Sequence, residues 1–269
     1  MTAQLIEVSS PVNQNSRQGE RITTGRLIVN ADDWGRSVDV TDRIAECMLQ
    51  KVVSSASAMV FMEDSERGAA LASRENIDTG LHLNLTTEFS SSACPPRLRE
   101  EQGKLIRFLS ASRIYPAVYH PGLTRTFEFV VQSQLQEYAR LYRKPPLRID
   151  GHHHMHLCAN VQIQKLLPKG TIVRRNFSFA PGEKNALNRF YRRWQDRRLA
   201  KRHRMTDFFF PLLPIDRPGR LETIVALANR FTVEIETHPV NRNEYDFLIA
   251  GFLARKAWNI GVSSSYSLS

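Results

Sequence analysis

Apolar and polar positions fall into short blocks along the chain, and the blocks predict a succession of strands and helices. Arg26-Leu27-Ile28-Val29-Asn30-Ala31 is an apolar run that ends at Asp32-Asp33, the pattern of a buried strand. After Gly35, apolar residues at helical spacing (Ile44, Cys47, Met48) predict a helix over Thr41 to Lys51. Ser57 to Phe61 reads as a second strand and Ser65 to Ser73 as a short helix. Thr79 to Thr86 alternates apolar and polar residues and reads as a third strand. Strand, helix, strand, helix, strand in so few residues is the signature of βαβ units and a parallel sheet.

Residues 87–125 hold Cys94-Pro95-Pro96, Gly103, Pro116 and Pro121-Gly122 and read as a long loop with little room for regular elements. Thr126 to Arg143 predicts an amphipathic helix with Phe129, Leu135, Tyr138, Ala139 and Tyr142 facing inward, stopped by Lys144-Pro145-Pro146. Leu147 to Asp150 is a brief strand running into Gly151-His152-His153-His154-Met155-His156. A helix over Asn160 to Leu167, a strand over Thr171 to Arg174 and a late strand from Phe231 to Thr237, ending at His238-Pro239, follow. Tyr245 to Trp258 reads as a helix and Asn259 to Ser263 as a last strand. No internal repeat or linker divides the chain, so one α/β domain over 25–269 is expected. Residues 1–24 lack a basic start followed by an apolar stretch, and read as a loosely ordered leader rather than a signal peptide. A cytoplasmic protein is expected.

Composition sharpens this only in places. The 269 residues are 42% hydrophobic and 24% charged, ordinary for one globular domain and a common size for an α/β barrel. Cys47, Cys94 and Cys158 show no CxxC spacing, which argues against a disulfide framework and a thiolate zinc site. The net charge of +10 favours anionic partners. Much of it sits in 184–204, where Arg189, Arg192, Arg193, Arg197, Arg198, Lys201, Arg202 and Arg204 interleave with Phe190, Tyr191 and Trp194. Two readings stay open there: a helix on an anionic membrane or gripping a phosphorylated or lipid-linked glycan, or a solvated helix face whose aromatics pack on the barrel. No nucleic-acid motif appears, and none is expected to bind.

The candidate chemistry gathers at strand ends. Asp32 and Asp33, His82, the His152 cluster and His238 lie at or near the C-terminal ends of predicted strands, the edge where α/β sheets and barrels bind ligands. At a strand end the turn brings two adjacent carboxylates to one site, although Asp32-Asp33 also suits a turn or helix cap. His82, between two leucines, also fits a satisfied core histidine. Asp150 suits an acceptor that orients a ligand imidazole. One carboxylate with two imidazoles is a ligand set for Zn²⁺, Fe²⁺, Co²⁺ or Ni²⁺, and more weakly for Mg²⁺ or Mn²⁺. With a spare carboxylate and a spare His it points to metal-assisted hydrolysis. A non-haem iron oxygenase shares the ligand set, but commonly on a β-sandwich.

Four segments resemble the YdjC-like carbohydrate deacetylase family: Leu27 to Gly35 (LIVNADDWG), Gly80 to Thr86 (GLHLNLT), Ile149 to His156 (IDGHHHMH) and Glu236 to Pro239 (ETHP). The resemblance implies an irregular (β/α) barrel related to polysaccharide deacetylases. It implies a divalent metal, Zn²⁺ or Mg²⁺ before Mn²⁺, Co²⁺ or Ni²⁺, on Asp33, His82 and His152, with Asp32 as general base and His238 as general acid. The expected reaction is removal of acetyl from an N-acetylated sugar, anionic or lipid-linked forms included. Alternatives are phosphoester or other amide hydrolysis on the same site, and a non-enzymatic binder of membrane or nucleic acid. A homodimer is compatible with all of these. Trp34, where the family more usually has Phe, is expected to bear on a sugar-binding wall; Thr237 stands where Cys is frequent.

Overall fold

A computed structural model of the protein describes residues 25–178, 186–251 and 253. The leader 1–24, the end of the helix expected over Tyr245 to Trp258 and the strand expected over Asn259 to Ser263 lie outside them. Seven strands form one parallel sheet: β1 (Arg26–Trp34), β2 (Ser55–Ala58), β3 (Thr79–Leu83), β4 (Arg148–Gly151), β5 (Ile172–Val173), β6 (Phe208–Pro211) and β7 (Thr232–Thr237). Their order is β5-β4-β3-β2-β1-β7-β6, a curled half-barrel flanked by helices. The α/β class and barrel-like form read from the sequence are therefore what the chain adopts.

Alternation within the strands sorts two very different faces. Leu27, Val29 and Ala31 of β1, Ala56 and Ala58 of β2, Leu81 and Leu83 of β3, Ile149 of β4 and Val233 and Ile235 of β7 are at most fractionally exposed and join one large apolar core under the helices. The other face is polar. It carries Asn30 and Asp32, Ser55 and Ser57, His82, Arg148 and Asp150, Arg174 and Glu234 and Glu236, all buried. Ile28 and Ile172 form a small apolar floor beneath them, and the buried ring of Phe209 lies against the Arg174 guanidinium. A buried polar layer of this kind persists because its groups bond one another. Arg148, for example, donates to the Ala56 carbonyl (2.7 Å), Asn30 Oδ1 (3.2 Å) and Asp78 Oδ2 (3.0 Å).

The helices are α1 (Val38–Leu49), α2 (Ser65–Arg74), α3 (Pro96–Ser110), α4 (Thr124–Tyr142), α5 (Ala159–Ile163), α6 (Ala186–Ala200), α7 (Arg220–Ala228) and α8 (Arg242–Ile249). Helix α3 corrects the long loop expected over 87–125. Pro96 stands at its first turn, where the missing N–H costs nothing, and Leu98, Gln102, Leu105 and Leu109 form its buried stripe. In α4 the inward aromatic is Phe127 rather than Phe129, which is 36% exposed beneath the Arg97 guanidinium. Strand β2 starts two residues earlier than expected, and β6 and α7 add elements that the sequence pattern had not indicated. No helix among the described residues is long and apolar enough to cross a membrane.

Candidate metal and catalytic site

The C-terminal ends of β1, β3, β4, β5 and β7 deliver the charged groups to one rim. Strand β1 runs on through Asp32 and Asp33 to Trp34, and its pairing with β2 shifts register between Ala31 and Trp34. Asp33 adopts a left-handed φ of 71°, a conformation costly for a residue with a Cβ. This irregularity turns both carboxylates toward the site, against strict alternation. The cap of α1 is Ser37, so neither aspartate serves as its N-cap. His82 is the penultimate residue of β3, nearer the strand end than the sequence pattern placed it.

Asp33 Oδ1 lies 3.3 Å from His82 Nε2 and 3.0 Å from His152 Nδ1. It is buried and has no hydrogen bond, whereas Oδ2 accepts from Arg36 (2.9 Å). His82 Nδ1 faces Asp150 Oδ1 at 2.7 Å. That carboxylate fixes Nδ1 as the protonated nitrogen and leaves the Nε2 lone pair facing Asp33. Ligand atoms about 3–3.5 Å apart are what a cation held at about 2.0–2.2 Å imposes. An orphaned carboxylate oxygen beside two imidazole nitrogens at these separations fits a divalent metal. Asp32-His82-Asp150 and Asp32-Glu236-His238 also bring their ligand atoms within 4.8 Å of one another, but Asp32 in both is already held by a cation.

That cation is Arg174, on the residue after β5. Its guanidinium, 1% exposed, donates to both oxygens of Asp32 (2.6 and 2.8 Å), to Glu234 (2.7 Å) and to Glu236 (3.2 Å), and lies 3.0 Å from Asp150 Oδ2. Asn30 Nδ2 donates to Asp32 Oδ1 at 2.8 Å. Asp32 is thus fixed from two sides. One guanidinium among four carboxylates leaves the rim short of positive charge. Burial opposes a charge on His82, yet Asp32 and Asp150 hold its pKa well above the ordinary value. Burial, and then the charge of Asp32, push Glu236 well above the usual carboxylate range. The His82 shift, held up against burial, records the negative charge of Asp32 and Asp150 around it.

Of the remaining histidines, His156 is structural. Its Nε2 faces the Arg174 carbonyl at 2.9 Å, and burial takes its pKa down to about 4. His153 and His154 have left-handed φ values of 52° and 58°, forming the tight turn that presents His152. His153 lies against Thr86 and His154 against Phe177. Gly151 makes that turn fit: a Cβ there would sit 2.9 Å from the His156 backbone nitrogen. Gly151→Ala is expected to cost about 1–3 kcal/mol, as overpacking does, with weakened metal binding; urea unfolding and metal titration check both.

His238 is half-buried just beyond β7, in the Asp32-Glu236 group. Glu244 shapes its turn by accepting from the His238 backbone N–H (2.9 Å) and the Thr237 hydroxyl (2.9 Å). Thr237 therefore has a bonding role. Trp34 does not form a sugar wall: it is fully buried, and its indole N–H donates to the Gly68 carbonyl at 3.0 Å. The three thiols are free and buried. Burial pushes Cys47 and Cys158 up to about 12.

The residues that sequence reasoning missed are Arg174, Glu234 and Glu236. One signal was present. Asp32, Asp150, Glu234 and Glu236 all sit in parallel strands with buried neighbours, and so many interior carboxylates demand an interior cation.

Known proteins resemble this chain. A chitooligosaccharide deacetylase of Serratia marcescens is 35% identical over 135 residues, 49% of this chain and 50% of that protein. A carbohydrate deacetylase of Brevibacillus brevis is 34% identical over 132 residues, and one of Mus musculus 31% over 143 residues, 51% of this chain and 44% of that protein. The chain spans about half the length of the curated relatives it matches. A solved protein of Enterococcus faecalis V583, described as a proposed cellobiose-phosphate cleavage protein, shares the fold with a TM-score of 0.59 at 18% identity, over 90% of this chain and 97% of its own. The YdjC-like protein family matches residues 26–250, a span that holds every residue of the rim, and the chain belongs to that family.

Proposed function

We propose that the protein is a divalent-metal-dependent hydrolase that removes acetyl from an N-acetylated sugar. The observation that carries this reading is the unbonded Asp33 Oδ1 beside His82 Nε2 and His152 Nδ1, with a second fixed carboxylate, Asp32, next to it. Deacetylase relatives at 31–35% identity support the bond and the substrate class.

Asp33, His82 and His152 would hold the metal. A divalent cation on such ligands supplies Lewis acidity toward a carbonyl and acidifies water. Asp32 acts as general base. Arg174 and Asn30 fix its carboxylate, so accepting a proton requires no search for orientation. His238, at the open side of the rim, protonates the departing amine. Glu236 offers a carboxylate oxygen within 4.8 Å of ligand atoms of both Asp32 and His238.

Acetate release from a panel of N-acetylated sugars, with Zn²⁺, Mg²⁺, Mn²⁺, Co²⁺ or Ni²⁺ added in turn, tests the reading. Metal-dependent release is the expected result. Bound metal with no release from any member would overturn the choice of bond. Asp32→Asn is expected to keep metal and lose turnover by about 10²-fold or more, and unchanged turnover would remove Asp32 from the role of base.

A further inference from the structure

Helix α6 carries a surface that the rim does not use. Leu187, Phe190, Tyr191 and Trp194 are 76%, 65%, 41% and 45% exposed. Steps of three, four and seven residues put them on one helix face. The opposite face is already packed, because Asp196 and Leu199 are buried. Leu187 and Phe190 therefore stand largely clear of the barrel, and Tyr191 and Trp194 each keep over a third of their surface exposed beside them. Lone exposed apolar residues are ordinary, but a continuous stripe of four marks an interaction site.

Its charge says what it meets. Between Ala186 and Arg204 stand seven arginines and one lysine against one acid, Asp196. That acid is consumed inward, accepting from Arg175 (2.9 Å) and from the Asn176 backbone (3.0 Å) and side chain (2.8 Å). Arg193, Arg197, Arg198 and Lys201 are exposed, and Arg198 lies 4.8 Å above the Trp194 ring. A leucine-aromatic stripe bordered by arginines is the composition of a helix that lies in a membrane interface. Nucleic acid would meet the charge but has no hydrocarbon layer to receive Leu187 and Phe190.

We propose that α6 seats the chain on an anionic bilayer surface, with the stripe at the headgroup-acyl boundary and the basic side chains on lipid phosphates. The contact is peripheral. It also lies beside the rim. Gln195 donates to the Leu157 carbonyl (3.5 Å), in the turn that presents His152, and Asp196 holds Asn176, two residues beyond Arg174.

The test is flotation of the full chain with phosphatidylcholine vesicles, with and without about 30 mol % phosphatidylglycerol, at low and high salt. Partitioning at least about tenfold stronger into the anionic vesicles, weakened by salt, is the expected result. Arg193→Glu with Arg197→Glu, and separately Phe190→Ser with Trp194→Ser, are each expected to reduce it by about tenfold or more while leaving the circular dichroism spectrum unchanged. No preference for anionic vesicles, binding undiminished in both variants, or retention by nucleic acid or protein alone would overturn the proposal. Because vesicle binding is read without turnover, its failure and failure of the deacetylase reading are separate results.

Discussion

Arg174→Ala is expected to lower folding stability by about 3–5 kcal/mol, the cost of breaking a buried ion pair by removing one partner. The guanidinium is 1% exposed and touches Asp32, Asp150, Glu234 and Glu236. Alanine would leave these four carboxyl groups without the one cation that touches all of them. They would have to take up protons or draw in water, and either disturbs the polar layer. The ring of Phe209, 4.8 Å from the guanidinium carbon, would also lose its partner. Arg174→Lys should recover only part of the loss, since a point charge cannot fork to both oxygens of Asp32 as Arg174 does. Urea unfolding of both variants is the measurement. A loss below about 1 kcal/mol for Arg174→Ala would mean that the carboxylates are neutralised in another way.

His82→Ala, or chelation of the divalent metal, is expected to take acetate release to background, and chelation alone should be reversed by adding metal back. In the proposed site the imidazole supplies one of three ligand atoms, and no other histidine nitrogen stands at its place beside Asp33. Asp150→Asn is the graded counterpart. Asp150 Oδ1 orients His82 at 2.7 Å, and its other oxygen accepts from the Ser57 hydroxyl. An amide there loses the charge that favours the Nδ1–H tautomer, so metal affinity should fall by about 10–100-fold, read by competition titration. Activity that persists in metal-free His82→Ala protein would falsify the assignment of the ligand set.

The strands that carry the candidate ligands were legible because each has a simple pattern with an ionisable residue at its end: an apolar run into Asp32-Asp33, alternation through His82, and a short strand into His152. What made them converge, parallel pairing, followed from the βαβ spacing. Arg174 was not legible in the same way. It sits in a chain rich in arginine, and a basic residue closing a two-residue strand looks like any surface position until its partners are known to be interior. Glu234 and Glu236 were hidden by a different ambiguity. They alternate with Val233 and Ile235, and alternation most often means a polar face in water. Here it means a polar face turned into a half-barrel. Helix α3 was lost because Pro95-Pro96 and Gly103 are loop signals by composition, while proline in a first turn starts a helix. The left-handed Asp33, which decides where two carboxylates point, leaves no mark in the sequence at all.

The sheet order has a consequence for the chain during its synthesis. Strands β1 to β4 are neighbours in the order in which they are made, and Asp33, His82 and His152 all belong to them or to the turn that follows. The other edge of β1 waits for β7, where Arg26 pairs with Thr232, about two hundred residues later. Closing so long a loop is slow, and an unpaired edge is meanwhile open to other chains. Asp33, His82 and His152, the candidate ligands, are therefore all made while Glu234, Glu236 and His238 are still unmade. If the candidate ligands hold a divalent cation, as proposed, a cation bound at that stage would hold β1, β3 and β4 in register until the strand that shields β1 arrives.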